Sequence, residues 1–260
     1  MTAAPQSIVC DLDGVLYRGE EEIAGAGAAL AVLDGSGIDL TFVTNNATKS
    51  PAEAAAKISR VTGYPATAGQ VVTSAEAAVQ LVAGERPPTL LFGAAGAREP
   101  LQQAGVPLVT DWRQAEAVIT GLDLNLSYEA LTAAVMAVQR GARFIATNAD
   151  VTFPSPEGQW PGAGAMVAAV VAATGVDPEV AGKPEPAMRR LLRDRLAGRR
   201  VAVVGDRPET DLALGVAEGW TTILVLSGVT TTAEAVEPAP DLVAKSLAEV
   251  PALFGLEPLE

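Results

Sequence analysis

The segment IVCDLDGVLYRG, from Ile8 to Gly19, combines an apolar run with two aspartates. Its apolar start predicts a buried strand, and Asp11 and Asp13 follow that strand directly. Because side chains alternate in an extended chain, these two carboxylates point to the same side. Their repulsion costs free energy unless a cation compensates it. The pair therefore indicates either a cation site or a plain turn, which Asp and Gly both favour.

The composition is typical of a packed α/β protein. Of the 260 residues, 49% are hydrophobic and only 4% are aromatic, so the core must consist mainly of Ala, Val and Leu. Such a core suits helices packed closely on a parallel sheet. The net charge of −13 argues against nucleic-acid binding, which needs basic surfaces. The longest apolar runs are shorter than the roughly 20 residues of a membrane-spanning helix, so we expect no membrane segment.

The chain contains no histidine and one cysteine, Cys10. This excludes catalysis by Ser-His-Asp or Cys-His groups and zinc sites built from histidine. Acid–base chemistry must come from carboxylates, Lys, Tyr or water, and the expected metal is magnesium or a similar hard ion. Because an internal disulfide is impossible and the first predicted strand starts near Ser7, we expect a cytoplasmic protein without a signal peptide.

Strand and helix patterns alternate along the chain, which predicts parallel sheets flanked by helices. The series is punctuated by ERPP, Glu85 to Pro88. The stretch from Asn148 to Pro161 is rich in Pro and Gly, so we expect an irregular loop there, and long loops are often functional. The predicted helices span about residues 23–36, 51–62, 73–84, 95–104, 127–140 and 165–174, and three more follow in the segments VAGKPEPAMRRLLRDRL, ETDLALGVAEG and LAEVPALFG.

Polar side chains follow the second predicted strand and precede a later helix. The strand TFVT ends in Thr44, and Asn45 and Asn46 come next. Hydroxyl, amide and backbone N–H groups at a strand end form either an oxyanion clamp or a simple turn cap. The segment GKPEP places Lys183 before a helix that Pro184 is expected to open. Since a helix N-terminus favours anions, this lysine either faces a phosphate or carboxylate or is a solvated surface residue.

The opening design recurs in VAVVGDRPETD, Val201 to Asp211. An apolar strand again ends in a carboxylate, Asp206. Because neighbouring parallel strands end at one edge of a sheet, we expect Asp206 to meet Asp11 and Asp13. Three carboxylates in one place need a divalent cation, which favours Mg²⁺ together with a substrate phosphate. Asp211, in the first turn of the next predicted helix, either orients a metal-bound water or pairs with the helix dipole.

Together these segments resemble the haloacid dehalogenase (HAD) superfamily of aspartate-nucleophile phosphatases. Its four motifs are similar to DLDGVLYRG, VTNN, GKP and GDRPETD, in that order. The resemblance extends through VVTSAEAA, NADVTFP, PGAGAMVAA and AGKPEPAM, and so covers nearly the whole chain. Within the superfamily the sequence looks like subfamily IIA, the NagD-like group. That group includes p-nitrophenylphosphatases and the phosphatases of phosphoglycolate, glycerol 3-phosphate and pyridoxal phosphate.

The resemblance implies an α/β fold with a Rossmann-like parallel-sheet core and a large inserted α/β cap domain. The core would comprise residues 1–83 and 178–260, and the cap residues 84–177, in agreement with the break at Glu85 to Pro88. The substrate would be a small phosphorylated metabolite. Caps in this group often mediate dimers, so a homodimer through the cap is a further expectation.

The resemblance also implies a mechanism for a Mg²⁺-dependent phosphomonoesterase. Asp11 would attack phosphorus and form an aspartyl phosphate, and Asp13 would protonate the leaving alcohol and later activate water. Thr44, Asn45 and Asn46 would hold the phosphoryl oxygens. Phosphoryl transfer needs mainly positioning and charge stabilisation, and no histidine.

The remaining implied roles concern charge and specificity. Lys183 would neutralise charge on the nucleophile and the phosphate. Asn148 and Asp150 match the N-x-D segment that this group carries near its active site. Phe153 stands where some pyridoxal-phosphate phosphatases have histidine, which makes pyridoxal phosphate a less favoured substrate. The metal ligands would be the Asp11 carboxylate, the Asp13 backbone carbonyl and Asp206, with Asp211 behind them.

Two other functions fit parts of this pattern. A phosphotransferase or phosphomutase would use the same aspartyl phosphate and pass the phosphoryl group to a second alcohol. A receiver-like signalling domain also uses Asp, Thr and Lys, but it would be about half this length and its acidic residues would be spaced differently.

Overall fold

The computed structural model describes residues 4–155 and 158–256, which divide into two compact units. The first takes its described residues from 1–44, 52–72 and 189–260, and the second comprises 45–51 and 73–188. The domain boundaries at residues 84 and 177 stay a prediction. Within the described residues, no helix is both long enough and apolar enough to cross a membrane.

Strands and helices alternate along the described chain as the sequence pattern predicts. The strands are β1 Ser7–Cys10, β2 Tyr17–Arg18, β3 Glu21–Glu22, β4 Asp39–Thr44, β5 Val71–Thr73, β6 Thr89–Phe92, β7 Ala117–Thr120, β8 Arg143–Ala146, β9 Thr152–Ser155, β10 Gly158–Pro161, β11 Glu179–Val180, β12 Val201–Gly205, β13 Thr221–Val225 and β14 Leu242–Ala244. The helices are α1 Ala26–Gly35, α2 Pro51–Thr62, α3 Ser74–Gln80, α4 Arg98–Gln103, α5 Tyr128–Gln139, α6 Ala163–Thr174, α7 Pro186–Arg195, α8 Ala213–Glu218 and α9 Val250–Leu253.

The first unit is built on a sheet whose strand order, in the described residues, is β14-β13-β12-β1-β4-β5. β1 lies at its centre and pairs in parallel with both β12 and β4. Side chains such as Ile8, Leu30, Phe42 and Ile223 are buried in one apolar cluster around this sheet. The central position of β1 places Asp11, the next residue, at the carboxyl edge of the sheet, where ligands of parallel α/β proteins bind.

The second unit contains another parallel sheet, with the order β11-β8-β7-β6 in the described residues. Its core brings together Phe92, Val118, Val138, Phe144 and Val170. These side chains come from strands β6, β7 and β8 and from helices α5 and α6. The predicted parallel-sheet α/β fold is therefore confirmed.

Local signals set several helix starts as expected. α2 begins at Pro51, directly after Ser50. At the start of α3, the Glu76 N–H donates to Thr73 Oγ1 at 3.2 Å, and the Thr73 N–H donates to Glu76 Oε2 at 2.9 Å. This reciprocal capping box satisfies backbone donors that a helix start leaves unpaired. α3 ends at Gln80, earlier than the predicted residue 84.

The expectation of an irregular loop from Asn148 to Pro161 is wrong. β9 and β10 form an antiparallel hairpin there, although Pro156 and Glu157 of this stretch lie outside the described residues. The rings of Phe153 and Trp160 face each other across the hairpin, edge to face, with centroids 6.0 Å apart. A cross-strand aromatic pair stabilises a hairpin, and proline is tolerated in strands with a free edge.

The helix near Lys183 begins later than expected. α7 starts at Pro186, not at Pro184. Between them the Glu185 N–H donates to the carbonyl of Gly182 at 2.8 Å, which closes a turn. Lys183 therefore lies in a turn before the helix, not at the helix start.

Candidate active site

Three aspartates of the first unit form a compact carboxylate cluster. One oxygen each of Asp11, Asp206 and Asp211 can be chosen so that all three lie within 4.8 Å of one another. Asp11 follows β1 and Asp206 follows β12, and the Asp11 N–H donates to the carbonyl of Val204 at 2.9 Å. The parallel pairing of these two strands thus brings their terminal carboxylates together. Asp206 and Asp211 are buried, and Asp11 is partly exposed.

Asp211 joins this cluster because the chain makes a wide π-helical turn at Pro208–Leu212. This turn continues directly into α8, so Asp211 lies in the first turn of the helical segment, as expected, although that turn is π-helical. The Arg207 N–H donates to Asp211 Oδ2 at 3.1 Å. A Cβ atom added to Gly205 would lie 2.2 Å from Asp211 Cβ, so the close approach of the turn to the strand end requires glycine.

Asp206 is enclosed by backbone from two loops. The Val229 N–H donates to Asp206 Oδ2 at 2.6 Å. Cβ atoms added to Gly14 and Gly228 would lie 2.4 Å and 1.9 Å from the same oxygen. The two loops are joined where Ser227 Oγ donates to the carbonyl of Gly14 at 2.8 Å. Sequence reasoning missed this second loop, whose only local signal is the Ser-Gly that follows the apolar strand β13.

The carboxylate cluster fits a hard divalent cation. Its donor set is three carboxylates, which suit Mg²⁺ or Ca²⁺, and the described chain offers no histidine to favour a softer metal. Three anionic groups at this separation repel one another, and a bound cation offsets that repulsion. The arrangement can therefore hold a metal beside the partly exposed Asp11.

Asp13 is not a member of the carboxylate cluster. The expectation that Asp206 meets Asp13 as well as Asp11 is therefore wrong, because the third carboxylate of the cluster is Asp211. The sharp turn after β1 carries Asp13 to a different neighbour. Lys57 Nζ, on α2, lies 4.0 Å from Asp13 Oδ1. Sequence reasoning missed Lys57, whose only signal is a lone lysine in an alanine-rich helix. The backbone carbonyl of Asp13 as a metal ligand stays a prediction.

Tyr17 supports the same region. Its ring lies under Lys57 Nζ, 3.8 Å from the ring centroid. Burial raises the pKa of the Tyr17 hydroxyl well above its usual value, and the Asp13 and Asp11 carboxylates raise that pKa further. Tyr17 therefore stays protonated and is excluded as a base at neutral pH.

Four of the predicted site residues form one hydrogen-bond network in the second unit. Asn45 Oδ1 accepts from the Lys183 N–H at 2.8 Å, and Asn45 Nδ2 donates to Asp150 Oδ2 at 3.3 Å. Asn148 Nδ2 donates to the carbonyl of Asn45 at 2.7 Å, and Asn148 Oδ1 accepts from the Asp150 N–H at 3.1 Å. Lys183 is only 6% exposed, so it is not a solvated surface lysine.

The two other residues of the VTNN segment differ in their surroundings. Thr44 ends β4 and is buried. Asn46 is exposed, and its Oδ1 accepts hydrogen bonds from the Thr48 N–H at 2.9 Å and from Thr48 Oγ1 at 2.6 Å. The Asn46 side chain thus caps its own turn, which is the simpler of the two interpretations of this segment.

Two protein-family models match this chain. The haloacid dehalogenase-like hydrolase model matches residues 8–107, and the HAD-hydrolase-like model matches residues 180–250. Acid sugar phosphatase from Staphylococcus saprophyticus is 40% identical over 233 residues, which cover 88% of this chain and 89% of that protein.

Solved structures give the same result. Glycerol phosphate phosphatase from Mycobacterium tuberculosis, in complex with magnesium, is 35% identical with a TM-score of 0.85, covering 94% of this chain and 75% of that one. p-Nitrophenyl phosphatase from Archaeoglobus fulgidus is 32% identical with a TM-score of 0.88, covering 96% of this chain and 99% of that one.

The parallel α/β core, the carboxylates at its strand ends and these matches therefore all indicate the same class of protein. The chain belongs to the haloacid dehalogenase-like hydrolases, as a phosphatase of that family. The resemblance inferred from the four motifs is confirmed.

Proposed function

We propose that this chain is a Mg²⁺-dependent phosphatase of small phosphomonoesters that works through an aspartyl phosphate on Asp11. The observation that carries the proposal is the carboxylate cluster of Asp11, Asp206 and Asp211 at the ends of adjacent parallel strands. It supplies a nucleophile beside a site for a hard cation, within a family of phosphatases. The bound cation would neutralise charge on the phosphoryl oxygens and on the nucleophile.

In the first step, an Asp11 carboxylate oxygen attacks phosphorus and the bond from phosphorus to the ester oxygen breaks. Asp13 gives a proton to that oxygen, and a neutral alcohol leaves. In the second step, Asp13 takes a proton from water as the water oxygen attacks the aspartyl phosphate. The acyl phosphate bond breaks, inorganic phosphate leaves, and Asp11 is again a carboxylate.

The phosphoryl oxygens need donors and positive charge while this exchange proceeds. We assign the charge to Lys183, whose backbone N–H donates to Asn45 Oδ1 and whose backbone carbonyl accepts from Asn45 Nδ2 at 3.3 Å. Thr44 supplies a hydroxyl, and Asn45 and Asn46 supply backbone N–H groups. The Asn45 and Asn46 side chains are engaged elsewhere, so we assign these contacts to the backbone.

Substrate choice is proposed to lie in residues 84–177. Asp150 is tied to the Asn45 and Asn148 network, and the β9–β10 hairpin begins two residues after it. The aromatic pair of this hairpin, Phe153 and Trp160, offers an apolar surface for the alcohol part of a substrate. The relatives act on sugar phosphate, glycerol phosphate and p-nitrophenyl phosphate, so we propose that class of small esters.

The test is a screen for phosphate release with Mg²⁺. It compares p-nitrophenyl phosphate, glycerol phosphate, phosphoglycolate, sugar phosphates, nucleotides and pyridoxal phosphate, with the Asp11→Asn variant as control. We expect release from several small esters by the unsubstituted protein only. The proposal is contradicted if Asp11→Asn releases phosphate at the same rate, or if the unsubstituted protein releases phosphate from none of these esters. Transfer of the phosphoryl group to an added alcohol, with no free phosphate, identifies the phosphotransferase alternative.

A further inference from the structure

Lys57 is a nearly buried cation that the proposed mechanism does not use. Its side chain is 11% exposed, on a helix, α2, whose buried residues include Ala54 and Ile58. An ammonium group in such a place loses hydration, which costs free energy unless other groups compensate. The compensation comes from the face of the Tyr17 ring at 3.8 Å and from Asp13 Oδ1 at 4.0 Å.

Tyr17 makes this arrangement rigid. It is 2% exposed, so its ring has no freedom to turn away from Lys57. The Tyr17 carbonyl accepts from the Gly14 N–H at 2.9 Å, and the backbone of Tyr17 forms a bridge with that of Asp13. The turn that contains Asp13 and the Tyr17 ring that contacts Lys57 are therefore parts of one local structure, which we call the Lys57–Tyr17–Asp13 cluster.

Asp13 is partly exposed to solvent. Its side chain is 43% exposed, so packing alone does not select one rotamer. A general acid acts only when its proton lies within hydrogen-bond reach of the leaving oxygen. Rotamers that point elsewhere cannot transfer the proton, so populating them lowers the rate. The Lys57 ammonium is a positive group beside this carboxyl group, at a distance longer than a hydrogen bond. The ammonium favours the rotamer in which an oxygen of the Asp13 carboxyl group faces it, and the attraction grows as negative charge forms on that group.

We infer that Lys57 is a positioning residue, which orients the Asp13 carboxyl group for proton transfer to the leaving oxygen. This rests on the proposed function, since it takes Asp13 as the acid. As the bond from phosphorus to oxygen breaks, the Asp13 proton moves to the leaving oxygen and Asp13 becomes a carboxylate. The Lys57 ammonium faces the negative charge that forms there, and so acts most when proton transfer is most needed.

The test compares two substrates of nearly the same shape, p-nitrophenyl phosphate and phenyl phosphate. 4-Nitrophenolate leaves readily without a proton, whereas phenolate is more basic and gains more from protonation. We expect Lys57→Met to lower kcat/KM for phenyl phosphate by about tenfold or more, and for p-nitrophenyl phosphate by less than about threefold. Lys57→Arg keeps the charge and the ring contact, so it should restore most of the lost rate.

Matched variants separate positioning from folding. Arg60→Met alters an exposed cation on the same helix, paired with Glu20, and should change neither substrate's kcat/KM. Lys57→Gln is a second neutral variant, and each variant is compared with the unsubstituted protein by circular dichroism. A purely structural role predicts that Lys57→Met and Lys57→Gln slow both esters by the same factor, and that result overturns the inference.

The outcomes also distinguish this inference from the proposed function. If the unsubstituted protein releases phosphate from neither ester, the proposed function fails. If Asp13→Asn lowers kcat/KM, which reports the step that releases the alcohol, by the same factor for both esters, Asp13 is not the acid and the inference fails with that assignment. If Asp13→Asn selectively slows phenyl phosphate and Lys57→Met does not, only the role of Lys57 is wrong.

Discussion

The backbone N–H of Val229 donates a 2.6 Å hydrogen bond to Oδ2 of Asp206. The loop after β13 thereby holds the carboxylate that ends β12. A short bond from a backbone donor to an ionised carboxylate is stronger than one between neutral groups. Asparagine can accept the same bond, so the charge of Asp206 can be removed while its contact is kept.

For this reason, Asp206→Asn should weaken metal binding without unfolding the protein. We expect the Mg²⁺ concentration that gives half-maximal phosphate release to rise at least about tenfold, because one charged ligand is lost. The measurement is the rate of p-nitrophenyl phosphate hydrolysis against Mg²⁺ concentration. Asp194→Asn, on the exposed side of α7, is the control and should leave the curve unchanged. An unchanged curve for Asp206→Asn would remove Asp206 from the metal site.

Asp11→Asn should abolish turnover while the sheet stays intact. Its backbone N–H keeps the bond to Val204, but the amide is a poor nucleophile. We expect p-nitrophenyl phosphate hydrolysis to fall by at least about 10³-fold, as when other nucleophilic side chains are removed. Steady-state rates measure this, and mass spectrometry of acid-quenched protein should find phosphate on the unsubstituted chain only. Near-normal turnover by the variant would show that Asp11 is not the nucleophile.

Gly205→Ala should destabilise the first unit at the carboxylate cluster. The added Cβ would overlap the Asp211 side chain at 2.2 Å, so the π-helical turn must shift. Overpacking of this kind costs about 1–3 kcal/mol of the free energy of unfolding. Urea unfolding is the measurement, and Gly84→Ala, where an added Cβ meets nothing within 4 Å, is the control. Equal stability of the two variants would show that the turn has room.

Glu218 should contribute stability that depends on pH. It accepts hydrogen bonds at 2.9 Å and 2.7 Å from the Arg193 guanidinium, which hold the pKa of Glu218 below its usual value of 4.5. A lowered pKa in the folded state gives stability above the unfolded pKa, and this stability is lost as the pH falls through the folded value. Since Arg193 is largely exposed, we expect Glu218→Gln to cost about 1 kcal/mol at pH 7 and less below about pH 4.

Urea unfolding at pH 7 and at pH 3 measures this difference. Glu234→Gln, at an exposed position, serves as the matched control and should have no effect at either pH. A penalty for Glu218→Gln that is the same at both pH values would contradict the ion pair as its cause.

Trp160→Ala should change which substrates are preferred. It removes half of the aromatic pair with Phe153, and a change in one pocket contact alters discrimination by about 10–200-fold. We expect kcat/KM values for sugar and glycerol phosphates to change their rank, while p-nitrophenyl phosphate is still hydrolysed. Tyr128→Ala removes another exposed aromatic side chain and should keep the rank. An unaltered rank in Trp160→Ala would place specificity elsewhere.

The sequence predicts those features that depend on neighbours within a few residues. The capping box of Thr73 and Glu76 is an example, because both hydrogen bonds join residues three apart. The alternation of apolar runs with helical patterns likewise predicts parallel sheets, and the order of the motifs predicts the family. The absence of histidine, read directly from the chain, limits the acid–base groups to carboxylates, Lys, Tyr and water.

Contacts between residues far apart in the chain could not be predicted from the sequence. The third carboxylate beside Asp11 and Asp206 is Asp211, because the chain makes a π-helical turn that the local sequence pattern did not predict. Lys57 reaches Asp13 from a helix 44 residues further on, and Val229 reaches Asp206 from another loop. Such contacts depend on how strands and helices pack, because burial and long-range strand pairing determine which residues meet. The residues next to a side chain in the sequence do not identify its distant partner.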